Sequence, residues 1–133
     1  MSYDVSLSPD EAFVSVRVSS PLVKELALSF TRDAIQLANE HGIRSILFDV
    51  RGQQATDGML NQYDYAQQLM DLGLKPDSRI AVLVTPGDDS HDFVEVATRN
   101  IGFFFHVFYE EQDAHDWLRQ MKNISSVKQA DGP

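Results

Sequence analysis

Two five-residue runs, Ile46-Leu47-Phe48-Asp49-Val50 and Ile80-Ala81-Val82-Leu83-Val84, are almost uninterruptedly apolar, and each runs into a polar segment containing glycine. Runs this short and this continuous mark strands covered on both faces, because a strand with one wet face alternates polar and apolar residues. Doubly covered strands need helices against the sheet. That restricts the chain to an α/β arrangement in which helical crossovers join parallel neighbours.

The remaining segments supply what such a sheet requires. Tyr3, Val5 and Leu7 alternate with Asp4, Ser6 and Ser8, and Val14, Val16 and Val18 alternate with Ser15, Arg17 and Ser19, so two half-buried strands are predicted. Ser8-Pro9-Asp10-Glu11 between them has turn chemistry, which favours an antiparallel pair. Ser20-Pro21 reads as a helix start, a capping hydroxyl followed by proline at the first helical position. Leu22, Leu26, Phe30, Ala34 and Ala38 then form one ridge of a helix of about five turns that stops at Gly42.

A second helix is predicted over about 59–72, with Met59, Tyr63, Ala66 and Met70 on its inner face and Gly73 closing it. Phe93, Val96, Ala97 and Ile101 give a third helix up to Gly102, and Phe104-Phe105-His106-Val107-Phe108 gives another strand. A last helix over about 111–122 is expected to bury Ala114, Trp117, Leu118 and Met121. The order β-β-α-β-α-β-α-β-α predicts a single mixed, mostly parallel sheet with an N-terminal antiparallel strand pair and helices packed on it. One domain over 1–122 is expected, followed by a polar, disordered tail over 123–133.

Composition narrows the function classes. A chain of 133 residues has about one domain's length. It contains no cysteine, which excludes disulfides, thiolate nucleophiles and thiolate metal sites and fits a cytoplasmic location. A formal net charge of −9 would repel phosphate backbones and anionic lipid surfaces, so nucleic acid is a poor candidate partner. No secretory leader pattern and no bilayer-length apolar stretch occurs, so a soluble protein is expected.

Three segments, Ile46-Leu47-Phe48-Asp49-Val50-Arg51-Gly52, Arg79-Ile80-Ala81-Val82-Leu83-Val84 and Phe108-Tyr109-Glu110-Glu111-Gln112-Asp113-Ala114-His115-Asp116-Trp117-Leu118, together with the element order, resemble the SpoIIAA-like family. That family is related to STAS domains and is similar in shape to the lipid-carrying SEC14 domains. The likeness runs from about Tyr3 to Leu118 and implies a mixed sheet with helices and no family-wide enzymatic activity. STAS domains that antagonise anti-sigma factors typically carry Asp-Ser-Xaa-Gly or Asp-Ser-Ser-Gly after the third strand, and its serine is phosphorylated. The corresponding loop here departs from that motif and reads Ala55-Thr56-Asp57-Gly58, with Thr56 its only hydroxyl. A standing negative charge on Asp57 at a helix N-terminus is one role for this loop; a plain cap by Thr56 or Asp57 is the other.

Other constellations carry less. Asp88, Asp89, His91 and Asp92 crowd one loop with oxygen and imidazole donors, but their spacing matches no recognised metal loop and helix-start acids have a dipole explanation. No Gly-Xaa-Ser-Xaa-Gly elbow, dinucleotide loop or phosphate loop occurs, so no catalytic residue, cofactor or resident metal is expected.

Ligands of open α/β sheets sit beyond the carboxyl ends of the strands, here 51–58, 85–90 and 109–110. The candidate binding residues are Arg51, Thr56 and Asp57 in the first loop, Tyr63 and Tyr65 just beyond it, Arg99 on the next helix, and Phe103 after it. Arg51 suits an anionic group or, alternatively, a salt bridge to Asp49. The cluster Phe103, Phe104, Phe105, Phe108 and Tyr109 exceeds what one strand face buries. A helix of the same chain, an apolar ligand pocket or a homodimer interface would cover the remainder. The expected function is therefore non-catalytic: a regulatory domain that binds a protein partner through the strand-end loops, or else a carrier or sensor of a small apolar, lipid-like ligand. An enzyme of unrecognised type ranks third.

Overall fold

The structure, a computed structural model, describes residues 2–54, 59–75 and 77–120. Its five strands are β1 (Tyr3–Leu7), β2 (Val14–Val18), β3 (Ser45–Asp49), β4 (Arg79–Leu83) and β5 (Phe104–Phe108). The helices are α1 (Lys24–Glu40), α2 (Met59–Gln68), α3 (Asp92–Ile101) and a last helix, α4, over 111–120. The strands form one sheet in the order β1-β2-β3-β4-β5. β1 pairs antiparallel with β2, Val5 opposite Val16, and every later pair is parallel, with Phe48 opposite Val82 and Val82 opposite Val107. This is the predicted mixed, mostly parallel sheet.

Because spatial order follows chain order, α1, α2 and α3 lie together on one face. There Phe30, Ala34, Ile35, Tyr65, Leu69 and Val94 pack on Val16, Ile46, Phe48, Ile80, Val82, Phe105 and Val107 in the main core. The opposite face carries a smaller core of Phe13, Leu47, Ala81 and Leu83 under Ala114 and Leu118 of α4. β3 is buried along its whole length, as its continuous apolar run requires.

Local chemistry accounts for the turns. Ser8 is buried, and its Oγ accepts the backbone N–H groups of Ala12 at 3.0 Å and Phe13 at 3.1 Å, fixing the β1–β2 connection while Glu11 takes a left-handed φ of 53°. Gly102 ends α3 at φ 111°, a conformation that a side chain would strain.

Four sequence expectations are corrected. The first helix does not begin at Ser20-Pro21: the chain stays extended through Val23, which buries Leu22 in the core, and α1 starts at Lys24 with no side-chain cap. In α2 the inner face is Tyr65, Ala66 and Leu69, whereas Tyr63 and Met70 are exposed; the helix ends at Gln68, and turns continue to Gly73. In α3 Val94, Ala97 and Thr98 face the core and Val96 faces water. Trp117 of α4 is only part-buried beside Ala114 and Leu118. The side chain of Met59, the residue Met121 and the expected tail over 123–133 lie outside the described residues.

Candidate functional site

Three helices over one sheet face leave a gap where their ends diverge. Leu22 and Val23, Ala27 and Phe30 on α1, Gln62 and Tyr65 on α2, and His91 with Val94 on α3 wall a pocket floored by Phe48, Val50, Val82 and Phe105. Its volume is about 80 Å³. The walls are overwhelmingly apolar, and their polar members are Lys24, Gln62, Tyr65 and His91. Tyr65 is buried and its hydroxyl lies 2.8 Å from Thr31 Oγ1, so its polar end is satisfied while its ring faces the pocket. Burial pushes the Tyr65 phenol up to about 12, with the Thr31 hydrogen bond opposing, so it stays neutral.

The β3 and β4 loops stand behind His91. Gly52 N–H donates to Thr85 Oγ1 at 2.9 Å, tying the two loops together. Asp88 turns inward, accepting Ser90 N–H at 2.9 Å and Ser90 Oγ–H at 2.6 Å. His91 is 5% exposed; its Nε2 stands 3.4 Å from the Gln53 carbonyl oxygen and 3.7 Å from Asp88 Oδ2. Burial pushes the imidazole below its ordinary value, against the pull of Asp88, the Gln53 carbonyl and Asp92. The site therefore offers a neutral imidazole on an apolar wall. Lys24 at the pocket's edge is paired with Asp64 at 3.0 Å.

No family model matches this chain, and no curated protein matches it.

The predicted site residues do not converge. Arg51 makes a two-point contact with Asp49, Nη2 to Oδ2 at 2.7 Å and Nε to Oδ1 at 3.0 Å, and reaches Glu111 at 3.9 Å; the alternative reading of Arg51 is the one realised. That pair lies toward α4, on the opposite side of the sheet from the pocket. Tyr65 lines the pocket, but Tyr63 points to water. Thr56 and Asp57 lie outside the described residues. Arg99 and Phe103 sit at the amino end of β5: Arg99 Nε donates to the Phe105 carbonyl at 3.0 Å, and Phe103 is buried in the core.

The second face of β5 is covered in part by the chain's own α4, whose Trp117 ring lies 5.5 Å from Phe108 and 4.8 Å from the Arg79 guanidinium. Phe104 remains 49% exposed there. In the Asp88–Asp92 loop, Asp88 is committed to Ser90, and among the described residues no three metal-ligating side chains converge.

Sequence reasoning missed the pocket because its walls come from separate helices and strands, each apolar residue reading as ordinary core. The one available signal was His91, whose place among acids suggested a ligand donor rather than a pocket wall. The carboxyl-end rule pointed to the loops that stand behind His91, with Gln53 in 51–58 and Asp88 in 85–90, but not to the apolar walls.

Proposed function

We propose that this chain is a non-catalytic binding domain of the SpoIIAA-like kind, acting in the cytoplasm, whose pocket between α1, α2 and α3 takes up a small apolar molecule. The apolar pocket with a few polar residues in its wall is the observation that carries this reading. Its volume sets the size of the guest. Drug-sized ligands occupy roughly 300–1,000 Å³, and an apolar cavity of about 150 Å³ holds benzene; a space of about 80 Å³ is about half of that, so the guest is a short chain end or a single small ring that leaves one edge outside.

A protein partner is the second reading, supported by Tyr63 on α2 and Met70 in the turn after it, which stand exposed while Tyr65 and Leu69 face inward. A guest that shifts α2 would alter that outer face.

The test is methyl NMR with benzene as probe. Saturable shifts are expected at Val50, Val82 and Val94, and filling the pocket with Ala27→Leu should remove them. Shifts spread evenly over the surface, or unchanged in the filled variant, would overturn the reading.

A further inference from the structure

His91 is the one ionisable ring on the pocket wall that has a nitrogen to spare. Both groups near its Nε2 are oxygens, the Gln53 carbonyl at 3.4 Å and Asp88 Oδ2 at 3.7 Å. A backbone carbonyl can only accept, so the ring proton of the neutral imidazole belongs on Nε2. Nδ1 is then an acceptor, and it has no hydrogen-bond partner among the described residues. The ring is buried, and burial keeps it uncharged near neutral pH, so it presents a lone pair rather than a positive charge. Leu22, Phe30, Phe48, Val82 and Phe105 around the pocket are apolar, and the side-chain carbonyl of Gln62 is the other acceptor on its wall, which makes the response of the His91 ring itself the deciding readout.

We infer that the pocket selects an apolar molecule carrying one hydrogen-bond donor, a small phenol or a comparable ring alcohol, whose O–H is received by Nδ1 of His91. This rests on the pocket reading and adds the polar half of the recognition. A hydrocarbon leaves that lone pair unused, and an anionic guest would set its charge against an acceptor in apolar surroundings. The donor-bearing guest gains a hydrogen bond shielded from water.

The experiment compares phenol with benzene on the full chain and follows two readouts, the pocket methyl groups and the ¹⁵N shifts of the His91 ring. Free protein should show the Nε2–H tautomer. Phenol should move the Nδ1 resonance and benzene should leave it in place. In His91→Leu, phenol affinity should fall about tenfold while benzene affinity is kept, the effect of one hydrogen bond. Should that variant fail to fold, the ring shifts of the unmodified protein decide alone. Benzene binding without any response of Nδ1 to phenol overturns this inference and leaves the pocket reading standing. Binding of neither probe overturns both.

Discussion

Glu95 on α3 accepts the backbone N–H of Val107 on β5 at 2.6 Å. β5 ends the sheet, so the outward-facing backbone groups of Phe105 and Val107 have no strand partner. One turn along α3, Arg99 Nε donates to the Phe105 carbonyl at 3.0 Å, and its Nη2 reaches His106 Nδ1 at 2.6 Å. Two side chains of one helix thus occupy an edge that would otherwise template a foreign strand.

The double variant Glu95→Ala/Arg99→Ala should therefore self-associate. Each single change should cost about 1 kcal/mol, since the freed backbone group regains water. Sedimentation velocity over a concentration series is the check: the double variant is expected to shift to larger species where the unmodified chain does not. Equal sedimentation of the two would mean that the capping does not protect the edge.

Asp49 and Arg51 give a second prediction. Burial would raise the Asp49 carboxyl, yet the hydrogen bonds and charge of Arg51, with help from Arg17, hold it below the ordinary carboxylate value. A carboxylate with a depressed pKa contributes stability that is present above its unfolded value and lost as pH falls through the folded one. Arg51→Met removes the partner from a mostly buried acid and should cost about 1–2 kcal/mol at pH 7, a figure reduced because Arg51 itself is 40% exposed. Urea midpoints from pH 7 down to about pH 3 should converge for the two proteins as Asp49 protonates. A constant gap across that range would assign the loss to packing instead.

The fold was legible because its strands are simple statements: Ile46 to Val50 and Ile80 to Val84 have no polar face to offer, and Gly42 and Gly102 punctuate helices where left-handed backbone is needed. α2 was not. Tyr63, Ala66 and Met70 and the alternative Tyr65, Ala66 and Leu69 both follow helical spacing, and only the packing of α2 against α1 and α3 chooses between them. Arg51 pairs with a residue two positions away, so its contact is local and readable. The pocket joins Leu22 to Phe105 across the whole chain, a relation no local pattern encodes.

His91 supplies the last prediction. Burial depresses its imidazole below the ordinary value of 6.5, while Asp88, the Gln53 carbonyl and Asp92 oppose that shift. Across the pocket, Lys24 is paired with Asp64, and the Tyr65 phenol, pushed up to about 12 by burial, stays neutral in this range. Between the folded and unfolded values the unfolded chain binds more protons, so stability rises with pH there. The contribution is complete above about pH 6.5, falls as pH drops toward the folded value, and levels off below it. This window lies above the one for Asp49, so the two separate along the pH axis. His91→Leu should flatten the urea midpoint between about pH 5 and pH 7 relative to the unmodified protein. If phenol occupies the site through Nδ1, its affinity should fall through the same window, because the protonated ring has no lone pair to offer. Parallel midpoint curves for the two proteins would place the His91 proton outside the folding equilibrium.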